Sequence, residues 1–228
     1  MTCGHHCDTH FSCLSHVPIF DGLDKNDKLD IARTALSREY QKGEMVYSAG
    51  EEGGRLYVLY TGRAKVFRLN PNGKEQVIRM VEPGDFIGEL SLFSSLPLSD
   101  NVQATKRTTM CILDGKELKA LMARRADLAF KVMDELSRRL ESAENRIEAI
   151  SLGSVTQRVA LALLDMAGGK EELTLPMTKG DWASHLGMSQ ETLSRKLSSM
   201  QEEGLIALKG TRGIHLLDRQ ALEEMGTE

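Results

Sequence analysis

Apolar positions change their spacing along the chain, and each change marks a different kind of element. Around Asp24–Leu36, Leu29, Ile31 and Leu36 punctuate a polar stretch and predict a short helix. From Gly43 to about Leu113 the pattern becomes short apolar runs, among them Leu56-Tyr57-Val58-Leu59-Tyr60, Ala64-Lys65-Val66-Phe67-Arg68-Leu69 and Gln76-Val77-Ile78-Arg79-Met80-Val81. Glycines at 43, 50, 53, 54, 62, 73, 84 and 88 separate them, and Asn72-Gly73 is a hairpin-turn pair. This predicts an antiparallel β-roll, jelly-roll-like, with Met110-Cys111-Ile112-Leu113 in its last strand.

Residues Glu117 to about Ile150 contain no glycine or proline and predict one long helix. Met133, Leu136, Leu140, Ala143, Ile147 and Ile150 recur at intervals of three and four, the a/d rhythm of a coiled-coil seam. A stripe this narrow fits a parallel homodimer better than packing on one's own domain. Its central positions carry no carboxylate, so the dimer is expected to persist more readily after a change in the sensor than one with a charged seam would. Gly153 and Ser154 then form a hinge. Beyond it, helices are predicted at 155–167, 181–186 and 190–202, followed by strands at Ile206–Lys209 and Gly213–Leu216. The fold class is therefore α+β. It divides into a cysteine-rich segment (1–18), a sensor roll (19–122), a dimerisation helix (123–150) and a C-terminal winged helix-turn-helix domain (151–228).

Composition narrows the function classes. The chain has 228 residues, ample for two compact domains. No run of about 18 apolar residues is present, so no membrane span is expected. Four cysteines are too few for a disulfide-stapled scaffold, and the N-terminus lacks the basic and apolar regions of a secretory signal. A cytoplasmic location is expected. The net charge of −4 argues against nonspecific coating of nucleic acid. No nucleophile–base pair, phosphate-cradling glycine loop or paired carboxylates suggest an enzyme.

The segment Asp181–Leu197 fits a helix-turn-helix. Ala183 is small where two helices would cross, and Gly187 stands where the turn needs a left-handed backbone. Ser189 is placed to cap the second helix. Glu191, Ser194 and Arg195 share one face of that helix, which would enter the major groove by its N-terminal part. Arg195 suits guanine O6 and N7, Glu191 suits cytosine N4, and Ser194 suits a base or a thymine methyl. Residues 151–228 hold eight Lys/Arg against eleven Asp/Glu, so affinity must come from a local cluster of Lys179, Arg195, Lys196, Lys209 and Arg212.

The order of parts resembles the Crp/Fnr family of bacterial transcription regulators over nearly the whole chain. Gly84-Asp85-Phe86-Ile87-Gly88-Glu89-Leu90 is similar to the family's sensor-roll motif, and Glu191-Thr192-Leu193-Ser194-Arg195 to the Glu-x-x-Ser-Arg recognition pattern of the Fnr branch. The resemblance implies double-stranded DNA as partner, bound by a homodimer at TTGAT-like inverted repeats, and RNA polymerase as a further partner if the protein activates. Members that bind cyclic nucleotide carry an arginine within about a dozen residues of Gly-Glu-Leu. Here no Lys or Arg occurs between Arg79 and Lys106, and no cyclic nucleotide is expected.

The cysteines offer the sensor. Cys3, Cys7 and Cys13 lie close together and Cys111 is distant, which makes four thiols, the number that closes an iron–sulfur cluster. Two thiols alone would serve a thiol–disulfide switch, and the first three with one of His5, His6, His10 or His16 would serve zinc. Resemblance to the Fnr oxygen sensors implies a [4Fe–4S] cluster on Cys3, Cys7, Cys13 and Cys111. The Cys7-x5-Cys13 spacing agrees with that branch, and Cys3-x3-Cys7 is one residue longer than its usual spacing. Oxygen would then degrade the cluster, weaken the dimer and release DNA.

Overall fold

The computed structural model describes residues 17–94 and 96–227; Cys3, Cys7 and Cys13 lie outside them. The chain divides into two compact units. One comprises the chain up to Leu69 together with Ile78–Arg139, the other Asn70–Val77 with Leu140–Glu228.

In the first unit, a 3-10 turn at Pro18–Phe20 leads to helix α1 (Lys25–Thr34), whose first turn is capped by the Asp24 carboxylate accepting from the Asn26 and Asp27 amides at 2.9 Å. The strands are β1 (Leu36–Tyr40), β2 (Met45–Tyr47), β3 (Arg55–Thr61), β4 (Ala64–Leu69), β5 (Glu75–Val81), β6 (Phe86–Ile87), β7 (Asn101–Ala104) and β8 (Thr108–Asp114). They form two four-stranded sheets, ordered β1-β8-β3-β6 and β2-β7-β4-β5. Strand pairs β1–β8, β3–β8, β3–β6, β2–β7 and β4–β7 are antiparallel, as expected for a roll. Short helix α2 (Glu89–Ser94) interrupts the roll between β6 and β7.

Strand β8 shows how the period-two pleat divides the core. Met110 and Ile112 face the interior between the sheets, where they join Tyr40, Tyr47, Leu59, Val66 and Val102. Cys111 and Leu113 face the other way, into a second cluster with Val17, Phe20, Leu23, Leu56 and Val58. Helices α3 (Gly115–Arg124) and α4 (Ala126–Leu152) close that second layer through Leu118, Leu121, Leu128 and Val132.

The single long helix expected from Glu117 to Ile150 is instead two. The backbone leaves helical geometry at Arg125 (φ −125°, ψ 85°), although its amide still donates to the Leu121 carbonyl at 2.8 Å. No glycine or proline announces the break. The Arg125 guanidinium is held by Asp24 and Asp127, each at 3.2 Å, and by Asp27, so a tertiary ion cluster fixes a residue whose local propensity is helical.

In the second unit, Ser154 and Gln157 form a capping box that starts α5 (Val155–Ala167). Then come β9 (Glu172–Thr174), α6 (Lys179–His185), α7 (Gln190–Glu202), β10 (Ile206–Lys209), β11 (Gly213–Leu216) and α8 (Arg219–Thr227). The wing is a three-stranded sheet, β10-β11-β9. Strand β9 and helix α8 were not anticipated; three residues and nine residues give weak periodic signals. Helix α6 starts two residues before its predicted start because Thr178 caps it, accepting from the Asp181 amide at 3.1 Å.

Candidate nucleic-acid interface and sensor site

The helix-turn-helix forms from α6 and α7. Gly187 adopts φ +70°, the left-handed turn conformation expected of it. Its amide donates to Ser184 and the Met188 amide to Ala183, so the chain reverses tightly over the buried Ala183. Ser189 caps α7, its hydroxyl accepting from the Thr192 amide at 3.1 Å. Leu193, Leu197 and Met200 are buried along one face of α7. With that face fixed inward, Glu191 and Arg195 project outward, their side chains 81% and 73% exposed and 3.9 Å apart. Ser194 and Lys196 are half-buried beside them.

The cations predicted around this face differ in their freedom. Lys179 is the first residue of α6 and is half-buried. Arg212 is exposed in the wing turn. Lys209 is exposed but pairs with Glu172 across the wing, and this hydrogen bond holds the Glu172 carboxyl below the usual carboxylate range.

The predicted seam residues lie on α4. Met133, Leu140 and Ile147 are 50%, 60% and 65% exposed in the single chain, and Ala143 is exposed. Leu136 is half-buried and packs against the cluster that holds Cys111. The side chain of Ile150 lies outside the described residues. Phe130, not singled out in the sequence, is 67% exposed. The helix thus carries two apolar stripes: Leu128, Val132 and Leu136 toward its own core, and Met133, Leu140 and Ile147 outward.

Cys111 is buried in β8 and disulfide-bonded. Val17, four residues past Cys13 in sequence, is buried in the same cluster. Among the described residues no group of three His, Cys, Asp or Glu could hold a metal ion. No described helix is long and apolar enough to cross a membrane.

The roll also encloses a cavity of about 110 Å³, lined by Tyr47, Arg68, Arg79, Glu89, Ser99 and Asp100 among others. The linear stretch after Gly-Glu-Leu lacks cations, but β4 and β5 supply Arg68 and Arg79, which a scan confined to that stretch does not see. Arg79 donates to the Phe86 carbonyl at 3.0 Å and lies 3.6 Å from Glu89. Arg139 of α4 donates to the same carbonyl at 3.1 Å and to Glu89 at 2.9 Å, with its guanidinium 4.1 Å over the Phe86 ring. Two guanidiniums therefore share one carboxylate and one carbonyl. Burial, and then repulsion from Arg139, lowers the Arg79 pKa. Across the cavity, the Tyr47 hydroxyl donates to Asp100 at 3.1 Å, and burial raises the Asp100 carboxyl. Gly88 is required here: at φ +89° a Cβ would lie 2.5 Å from the Arg55 carbonyl.

Residues 37–125 match the cyclic nucleotide-binding domain family, and residues 157–225 match the Crp-like helix-turn-helix domain. The chain is 28% identical over 204 residues to the CRP-like cAMP-activated global transcriptional regulator of Mycobacterium tuberculosis, covering 86% of this chain and 91% of that protein. It is 25% identical over 228 residues to the transcriptional activator protein FnrL of Cereibacter sphaeroides, covering 94% and 90%. Among solved structures, FixK2 from Bradyrhizobium japonicum superposes with a TM-score of 0.73 at 27% identity, covering 84% of this chain and 96% of that one.

Proposed function

The chain belongs to the Crp/Fnr family of DNA-binding transcription regulators, not to an enzyme family, and from that premise we propose that it is an oxygen-responsive regulator of the Fnr kind. In this reading Cys3, Cys7, Cys13 and Cys111 hold a [4Fe–4S] cluster, and a homodimer joined along α4 binds TTGAT-like inverted repeats in the cytoplasm. RNA polymerase is a further partner where the protein activates.

The observation that carries the reading is the placement of Cys111. A strand cysteine turned away from the roll interior shares its apolar cluster with Val17, where the chain arrives from the cysteine segment, and with Leu128 and Val132 of α4. A soft sulfur ligand in a dry pocket suits an iron–sulfur group, so the Cys111 sulfur fits once its disulfide is reduced to a thiolate. When bound, the cluster supplies an oxygen-labile inorganic centre. The chain's own residues do the rest. Cys111 and Leu113 anchor the layer against β8, and a shift in that layer acts directly on the packing of Leu128, Val132 and Leu136.

Cyclic nucleotide is the less favoured ligand. Glu89 is engaged by Arg79 and Arg139, and Asp100 places a carboxylate in the stretch where a phosphate partner is required.

The disulfide at Cys111 favours a second reading, in which thiol–disulfide exchange alone switches the regulator. Iron and sulfide analysis of anaerobically purified protein, with an absorption spectrum, separates the two. About four iron and four sulfide per chain support the cluster. Colourless, metal-free protein whose DNA affinity follows dithiol reduction supports the switch. Cys111→Ser is expected to remove iron and oxygen response together; unchanged iron content in that variant contradicts the four-thiol assignment.

A further inference from the structure

Arg158 has no place in the recognition pattern, yet it reaches the turn on which that pattern depends. It is the fourth residue of α5, and its amide makes that helix's bond to the Ser154 carbonyl at 3.1 Å. Its side chain is half-buried and reaches the turn between α6 and α7, where Nη1 donates to the Leu186 carbonyl at 3.2 Å. Its Nε is buried and has no hydrogen-bond partner among the described residues. Keeping that nitrogen dry costs free energy that a lysine or methionine would avoid, so what the guanidinium contributes lies in its outer nitrogen.

Leu186 is the C-cap of α6. Carbonyls at a helix C-terminus lack their usual intrahelical donors and carry the negative end of the helix dipole, so a cation is a favourable partner there. The next residue is Gly187, whose left-handed backbone turns the chain into α7. Helix α5 also packs against α7. A continuous series of specific bonds therefore runs from the Ser154 cap through Arg158 to the Leu186 carbonyl. The Gly187 turn and the Ser189 cap carry it on to Glu191, Ser194 and Arg195.

We propose that Arg158 is a positioning residue for sequence readout: it fixes the pitch of α7 relative to α5 without touching DNA. The physical reason concerns tolerance. Bidentate contacts to base edges demand placement to within a fraction of an ångström, whereas long lysine and arginine side chains reach phosphates over a wide range of poses. Loosening the turn therefore erodes discrimination and spares nonspecific binding.

The test uses the full-length protein, purified without air, as wild type, Arg158→Met and Arg158→Lys. Affinity is measured by fluorescence anisotropy over a salt series. The probes are the duplex that the wild-type chain selects from a random pool and a scrambled duplex of equal length. Arg158→Met is expected to bind the selected duplex about tenfold more weakly, the scale of one charged hydrogen bond, with scrambled-duplex affinity within about twofold of wild type. Arg158→Lys, which keeps a cationic donor, is expected to fall between. The salt slope stays that of wild type. A slope reduced by about 0.9 marks a direct phosphate contact and overturns the proposal. So does an equal loss on both duplexes, or an unchanged ratio between them. If Arg158→Met gives no cooperative thermal transition, Arg158→Lys decides alone: a lowered ratio at unchanged slope supports the assignment, and a wild-type ratio rejects it.

Discussion

The roll and the helix-turn-helix use charge in opposite ways. In the roll, Arg79, Arg139 and Glu89 are mostly buried and bind one another, with side chains 21%, 19% and 10% exposed. On the recognition helix, Arg195 and Glu191 stand in water, and their mutual pairing at 3.9 Å is loose. A buried charge is tied to the fold, because removing its partner strands it. An exposed charge is free for a ligand, because water already satisfies it. A charge on the recognition helix can thus be removed without loss of structure, and one in the buried cluster cannot.

Glu89→Ala tests the first half of that contrast. It leaves two guanidiniums facing each other over the Phe86 carbonyl, and the protein should lose about 3 kcal/mol of stability by chemical denaturation. Glu89→Gln, which keeps an acceptor but no charge, should lose less. Equal stability of Glu89→Ala and wild type would show that the pair is as dispensable as a surface one.

Arg195→Ala tests the other half. Specific affinity should fall by about 1–3 kcal/mol, roughly ten- to a hundredfold, in a binding titration against the selected duplex. The stability to denaturant should stay within about 0.5 kcal/mol of wild type. A large loss of stability would remove the distinction between the two regions.

Helix α4 belongs to both worlds, with one stripe in the core and one outside. Leu140→Glu should leave the single chain's stability nearly unchanged, since Leu140 is 60% exposed. It should weaken self-association by about tenfold or more in sedimentation, because each copy then loses a buried leucine worth about 1.5–3 kcal/mol. With no carboxylate native to the stripe, the wild-type protein in air should remain largely dimeric at micromolar concentration. Mostly monomeric wild type under those conditions would contradict that expectation.

The same division governs what could be read from the chain. The exposed pattern of Asp181–Leu197 was readable because its geometry is local: a small residue, a turn glycine and a capping serine fix where Glu191 and Arg195 point. The roll's strands were readable from glycine punctuation and short apolar runs. The Arg79–Glu89–Arg139 cluster was not, because Arg139 of α4 lies 50 residues beyond Glu89 in the chain, and no periodicity encodes such a meeting. The break at Arg125 escaped for a related reason. Its partners Asp24 and Asp27 lie about a hundred residues upstream. Leu136 kept the heptad rhythm while facing the protein's own core, which spacing alone does not distinguish from a seam.

Asp100 supplies the subtlest measure of the contrast. Burial raises its carboxyl above the ordinary value of 3.8, and the Tyr47 hydroxyl offsets only part of that. A raised carboxylate is a cost, with a definite sign in pH. Well below the ordinary value both folded and unfolded chains are protonated, and Asp100 costs nothing. As pH rises through the interval between the unfolded and native values, the unfolded chain ionises first and stability falls. Above the native value the penalty is constant. Asp100→Asn keeps an acceptor for Tyr47 and removes the charge, so it should raise the melting temperature slightly near neutrality, with the gain vanishing at the acid end. A gain that persists undiminished in acid would mean that packing, not ionisation, sets the difference. A loss at neutral pH would mean that Arg68, which donates to Ser99 beside it at 3.3 Å, draws more from the Asp100 charge than burial takes away.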